Sequence, residues 1–176
     1  MKATGIVRRI DDLGRVVMPK EIRRTMRIRE GDPLEIYTNN EGEVIFKKYS
    51  PIGELSAFSA QYAETLNKIG GMPAVICDRD HIVAVAGVPK KELLERRISS
   101  EMEEALERRK TIVLPDESIQ PVEGYERKVS VACPILSAGD IAGAVMFMTS
   151  DEQPADDAQI KLIQAAALFL GKQMES

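Results

Sequence analysis

Tryptophan is missing from the chain, histidine occurs once (His81) and cysteine twice, and each scarcity removes a class of chemistry. A single histidine leaves no Ser/His/Asp or Glu/His relay to assemble, and no Cys/His cluster has the spacing of a metal site. Cys77 and Cys133 lie far apart, each beside apolar neighbours (Val75-Ile76 and Val131-Ala132). They read as two buried, reduced thiols. No aromatic ladder accompanies the basic residues, which disfavours base stacking on single strands. Long hydrophobic runs are lacking too. The longest, Ile141–Met148 and Ala165–Leu170, fall far short of the roughly 20 residues that a membrane helix needs. Lys2, Arg8 and Arg9 interrupt any apolar leader, so a cytoplasmic protein is expected. No cofactor motif is recognisable and no cofactor is expected.

What the chain does have is charge, unevenly placed. Of its 176 residues 30% are charged and the net charge is −4. Residues 1–50 hold 11 basic and 8 acidic side chains, whereas residues 51–176 hold 13 and 20. Within residues 2–29 nine Lys or Arg face only three acids, Asp11, Asp12 and Glu21. A concentration of positive charge on one small unit of an acidic protein is what a phosphate backbone selects. Ser50-Pro51-Ile52-Gly53 forms the seam, because Pro and Gly stop a strand and redirect the chain. Two modules are expected: 1–50, and 51–176 beginning with a connector helix over 52–69.

In the first module Gly5–Ile10 and Arg15–Met18 read as strands around an Asp11-Asp12-Leu13-Gly14 turn. Pro19 opens a helix over Lys20–Arg27, with Ile22 and Met26 on one face and Arg23, Arg24 and Arg27 elsewhere. Pro33–Tyr37 and Glu43–Lys47 form a second hairpin around Asn39-Asn40-Glu41-Gly42. Fifty residues with no disulfide and few large apolar side chains bury too little alone, so a second copy, exchanging strands, supplies the missing core.

The run from Lys2 to Tyr37, with Asp-Asp-Leu-Gly-Arg-Val-Val-Met-Pro and Ile-Arg-Arg-Thr in register, closely resembles the AbrB-type swapped-hairpin DNA-binding domain. Met18 stands where Ile is more usual, a tolerable volume change. The resemblance implies an interleaved dimer of looped-hinge helices, a β-rich barrel, that binds duplex DNA in bacterial transcription regulation. It places Arg8, Arg15, Arg23 and Arg24 on the DNA, and Arg9 and Lys2 extend the same basic set.

In the second module Ile52, Leu55, Ser59, Tyr62, Leu66 and Ile69 recur at helical spacing and stop at Gly70-Gly71. Strands follow at 73–77 and 82–86, then a short helix at Lys90–Arg97. Ser100 and Glu103 suggest a capping box opening a helix to Arg109, and 111–114 is strand-like. Residues 116–126 are turn-rich, 128–136 and 141–148 make a hairpin, and 155–174 is a helix with apolar stripes wide enough for a sheet and a partner together. This α+β order resembles a GAF domain, a small-molecule sensor family, in Ile-Cys-Asp-Arg-Asp and in Pro-Ile-Leu-Ser-Ala-Gly-Asp-Ile-Ala-Gly-Ala-Val. A ligand pocket can be imagined among Cys77, Val83, Val85, Cys133 and Val145, but hydrophobic core is the favoured reading.

The leading expectation is a homo-oligomeric regulator, a dimer at each module and hence a tetramer, binding double-stranded DNA, with the sensor module open to an unidentified small molecule. Two other readings stand beside it: an antitoxin-like DNA-binding autoregulator, and a thiol-dependent GAF-fold enzyme.

Overall fold

Residues 4–149 and 153–175 are described by the structure, a computed structural model, so Lys2 lies outside the described residues. Contacts divide the chain between Tyr49 and Ser50 into two compact units.

The first unit holds one helix, α1 (Lys20–Met26), and one hairpin, β1 (Leu34–Thr38) with β2 (Val44–Lys48). The expected strands over 5–10 and 15–18 do not form ladders. The turn between them does form: the Asp11 N–H donates to the Arg15 carbonyl at 3.0 Å and the Gly14 N–H to the Asp11 carbonyl at 3.0 Å. The reason is exposure. Ile6, Val7, Ile10, Leu13, Val16 and Val17 lie open in a single copy, and strands gain little by pairing when nothing covers their apolar faces. Helix α1 ends on Arg27 in the left-handed region, φ 50, with the Ile28 N–H returning to the Arg23 carbonyl in a Schellman closure. Lys48 Nζ donates to the Arg27 carbonyl at 3.0 Å and so joins the helix end to β2.

The second unit is built on an antiparallel sheet in the order β4-β3-β7-β6-β5. Its strands are β3 (Ala74–Asp78), β4 (Ile82–Ala86), β5 (Ile112–Val113), β6 (Val129–Ser137) and β7 (Asp140–Met148). The central strand β7 is buried from Ile141 to Met148, so both faces need cover. On one face α2 (Pro51–Glu54), α3 (Ser56–Gly70) and α6 (Asp157–Met174) bring Ile52, Leu66, Ile163 and Leu170 onto Ile76, Val145 and Phe147. On the other, α4 (Lys90–Leu93), α5 (Ser100–Glu107) and the irregular segment 114–128 bring Leu93, Met102, Ile119, Val122 and Tyr125 onto Cys77, Met146 and Met148.

Local chemistry fixes the joints. Asp156 and Gln159 form a reciprocal capping box at α6, and Gln159 Nε2 also donates to the Gly70 carbonyl at the end of α3. At α5 the cap is Ser99 rather than the expected Ser100. The Ser99 Oγ accepts from the Met102 N–H at 3.0 Å and donates to the Gln120 carbonyl at 2.6 Å, a second bond that Ser100 is not placed to make. The helix expected over Lys90–Arg97 stops at Leu93, because Glu95 takes φ 63 and Arg97 instead bridges His81. A Cβ on Gly143 would collide with the Cys77 carbonyl oxygen, and one on Gly171 with that of Leu136. Those two glycines let β3 meet β7 and let α6 lie on β6.

Candidate nucleic-acid interface

Arg8 and Arg9 precede the first turn, Arg15 leaves it, and Arg23 and Arg24 lie on α1; all five are exposed. Their placement has local causes. Pro19, the one buried residue among the described residues of this unit, starts α1, and its carbonyl accepts the Arg23 N–H at 3.0 Å. Ile22 is half-buried and holds the helix by that side, which turns Arg23 and Arg24 outward.

Among the described residues Arg15 is the one of these five arginines drawn into an ion pair. Its Nε donates to Asp11 Oδ2 at 2.8 Å. The other oxygen, Oδ1, accepts the backbone N–H of Leu13 at 3.0 Å and of Arg15 at 2.8 Å. Asp11 is not among the expected site residues. Its carboxyl is held below the usual carboxylate range by the Arg15 N–H first and the Arg15 guanidinium second. Its position four residues before Arg15, at the head of a turn, is the available signal.

Apolar side chains surround these cations. Val7, Ile10, Leu13, Val16, Val17, Met26, Ile36, Val44 and Phe46 are all exposed, more than a small soluble unit normally leaves to water.

In the second unit the two thiols fall on opposite faces of the sheet, Cys77 in the core under α4 and α5 and Cys133 against the core under α3 and α6. The residues named for a pocket are likewise divided, with Cys77 and Val85 on one side and Val83, Cys133 and Val145 on the other. They cannot line one cavity. Burial pushes the Cys77 thiol up to about 12, and burial raises Cys133 too, against a Thr111 hydroxyl at 3.7 Å. An open cleft of about 470 Å³ lies instead on the surface of α5, lined by Glu101, Glu104, Arg108, Glu117, Ser118 and Ile119. No helix among the described residues is long and apolar enough to cross a membrane.

A cationic hairpin-and-helix head with its apolar residues outside, joined to a sheet domain covered on both faces, defines a class: two-domain proteins whose head suits a polyanion. Comparison with known proteins makes the class specific. The family model described as stage V sporulation protein T C-terminal, transcription factor, matches residues 54–175, and the model described as antidote-toxin recognition MazE, bacterial antitoxin, matches residues 7–53. The chain is 49% identical over 178 residues to stage V sporulation protein T of Bacillus subtilis (strain 168), spanning 99% of each. It is also 61% identical over 51 residues to the transition state regulatory protein AbrB of the same organism, covering 29% of this chain and 52% of that one. The GAF domain from an Acinetobacter phosphoenolpyruvate-protein phosphotransferase superposes with a TM-score of 0.57 over 68% of this chain and 81% of that one, at 10% identity, which shows the GAF fold. The chain belongs to the stage V sporulation protein T family of transcription factors.

Proposed function

We propose that two copies of the head pair through their exposed apolar residues and grip duplex DNA with Arg8, Arg9, Arg15, Arg23 and Arg24, aided by Lys2. The carrying observation is the conjunction of those exposed cations with a head that buries only Pro19 among its described residues. The cations need a polyanion, and the apolar residues need a second copy. The relative's name states a sporulation role, and by that likeness the genes this chain controls are those of sporulation, in the forespore cytoplasm, as activator and/or repressor.

The second unit holds the copies together. Phe58, Tyr62 and Phe169 form a three-ring cluster with centroids 5.8–6.0 Å apart. Phe58 and Phe169 remain exposed, with Ile69 further along α3. A second α3–α6 pair covers this cluster and completes a dimer of dimers. An effector taken up in the open cleft is polar, because the cleft presents Arg108 among Glu101, Glu104 and Glu117.

The alternatives account for less. A toxin-neutralising tail is flexible, whereas residues 50–176 form a compact unit. A thiol enzyme needs converging, ionisable cysteines, and these sit on opposite faces with their thiols held protonated.

Footprinting on genomic fragments tests the reading. Wild-type protein is expected to protect discrete sites. Arg15→Ala and Arg23→Ala lose protection while keeping the circular dichroism of the folded chain, and unchanged protection would move the interface elsewhere. With four arginines from each of two copies on phosphates, the log–log salt slope approaches about −7.

A further inference from the structure

The first unit contains the same turn twice, and the two copies differ in one chemically telling way. In Asp11-Asp12-Leu13-Gly14-Arg15 the first side chain accepts N–H groups from the third and fifth residues at 3.0 and 2.8 Å. In Asn39-Asn40-Glu41-Gly42-Glu43, Asn39 Oδ1 accepts from Glu41 and Glu43 at 3.1 and 2.9 Å. Both close with the same two backbone bonds, first residue to fifth and glycine to first. Both glycines have positive φ, 75 and 81. Asn39 thus performs all the backbone work with a neutral amide, and its remaining polar atom, Nδ2, bonds Glu43 Oε2 at 2.6 Å. The fold does not require a carboxylate in this turn. At residue 11 the second oxygen holds Arg15 Nε.

We propose that Asp11 is a positioning residue for Arg15: it pins the guanidinium by Nε and offsets its charge, which makes Arg15 a reader of base edges rather than a phosphate clamp. The inference rests on the head being the DNA-binding unit. With Nε engaged, the two Nη groups remain as a planar pair, the geometry that meets the O6 and N7 of guanine. A neutralised arginine gains little from a phosphate taken alone, since the adjacent carboxylate is repelled by the backbone it approaches. Random DNA is therefore bound less well and a correct site is favoured in proportion, which is specificity obtained by weakening the wrong complex.

The test uses the full chain and two duplexes of about 30 base pairs, long enough to span two half-sites a helical turn apart, one selected by the wild-type protein from a random pool and one a scramble of the same composition. Asp11→Asn, which the second turn shows to be compatible with the backbone, is expected to tighten binding to the scramble by about 3-fold to 10-fold. It also steepens the scramble's salt slope by about 1 to 2 and lowers the selected-to-scramble ratio at least about 10-fold. Arg15→Lys keeps the charge but loses the fork, so it lowers the ratio without steepening the slope. In an Arg15→Ala background, Asp11→Asn should leave the selected-to-scramble ratio unchanged, because the bare carboxylate then repels both duplexes alike.

An unchanged ratio in Asp11→Asn, or an equal fall in the ratio with and without Arg15, overturns the inference while leaving the DNA-binding head intact. If the wild-type protein binds no duplex, the reading of the head falls and this inference with it.

Discussion

The two units of this chain solve the problem of a core in opposite ways. Residues 50–176 wrap a five-stranded sheet on both faces, and Phe147, Met146, Val145 and Ala144 in the middle strand are all 0% exposed. Residues 4–49 leave Val7 86% and Val17 73% exposed. Burial at roughly 25 cal/mol per Å² favours the sheet unit far more than the head, whose apolar residues stay open in a single copy. If the head pairs as proposed, its arginines come as a two-fold set matched to a duplex.

The sharpest way to break the comparison is to charge the proposed pairing surface. Val17→Asp would set an uncompensated carboxylate into it, at about 3–5 kcal/mol per copy. Duplex binding should vanish in a mobility-shift assay, while the unfolding transition of residues 50–176 stays in place. If the Val17→Asp protein still binds DNA, the apolar face has some other purpose.

Next in size is the reciprocal change. Phe147→Ala empties a site packed against α3 and α6, and a loss of about 3–5 kcal/mol is expected in urea unfolding. The full burial of that ring predicts that no partner copy makes up the deficit. A loss below about 1 kcal/mol would mean that the core of this unit is as incomplete as that of the head.

Legibility in the sequence follows the same division. The β6–β7 hairpin, α3 with its Gly71 stop and α6 are readable because each pairs or packs within one chain, so local pattern and tertiary demand agree. The runs 5–10 and 15–18 have strand patterning but no ladder, because nothing in a single copy covers their apolar faces. The cap of α5 falls one residue before the expected Ser100 because Ser99 and Ser100 both suit the role, and only the Gln120 carbonyl distinguishes them. Composition and clustering single out the arginines. Asp11 reads only as turn chemistry, since an acid in a basic segment is an anchor only once both of its oxygens are seen to be engaged.

A pH titration sharpens the comparison on the side of the folded core. Burial and then the Asp78 charge raise the Cys77 thiol from 9.0 to about 12. A folded-state value above the unfolded one means that the unfolded chain releases its proton first. The contribution to stability is therefore complete below about pH 9 and declines as pH climbs toward 12, by about 1.4 kcal/mol per pH unit. Cys77→Ala should unfold with a correspondingly shallower alkaline slope in its midpoint. Equal slopes would show that the thiol is reached by solvent in the folded state.

The smallest effect compares the two units through the same backbone strain. Arg27 at the end of α1 and Ala138 in the β6–β7 turn have φ 50 and φ 49, both left-handed. Replacing either by glycine relieves about 1–2 kcal/mol of steric cost and gives back roughly 0.4–1 kcal/mol through the freer unfolded chain. A net gain of about 0–1.6 kcal/mol remains. Ala138→Gly should therefore raise the unfolding midpoint of the second unit slightly, with DNA binding untouched. Arg27→Gly keeps the carbonyl that accepts Lys48 Nζ but gives up the contacts of a half-buried side chain and one cation per copy. Its stability should hold within about 1 kcal/mol while its affinity for duplex falls, most visibly at low salt. If both quantities moved together, the head's stability and its charge would be inseparable, and the contrast between a unit built to fold and a unit built to bind would fail.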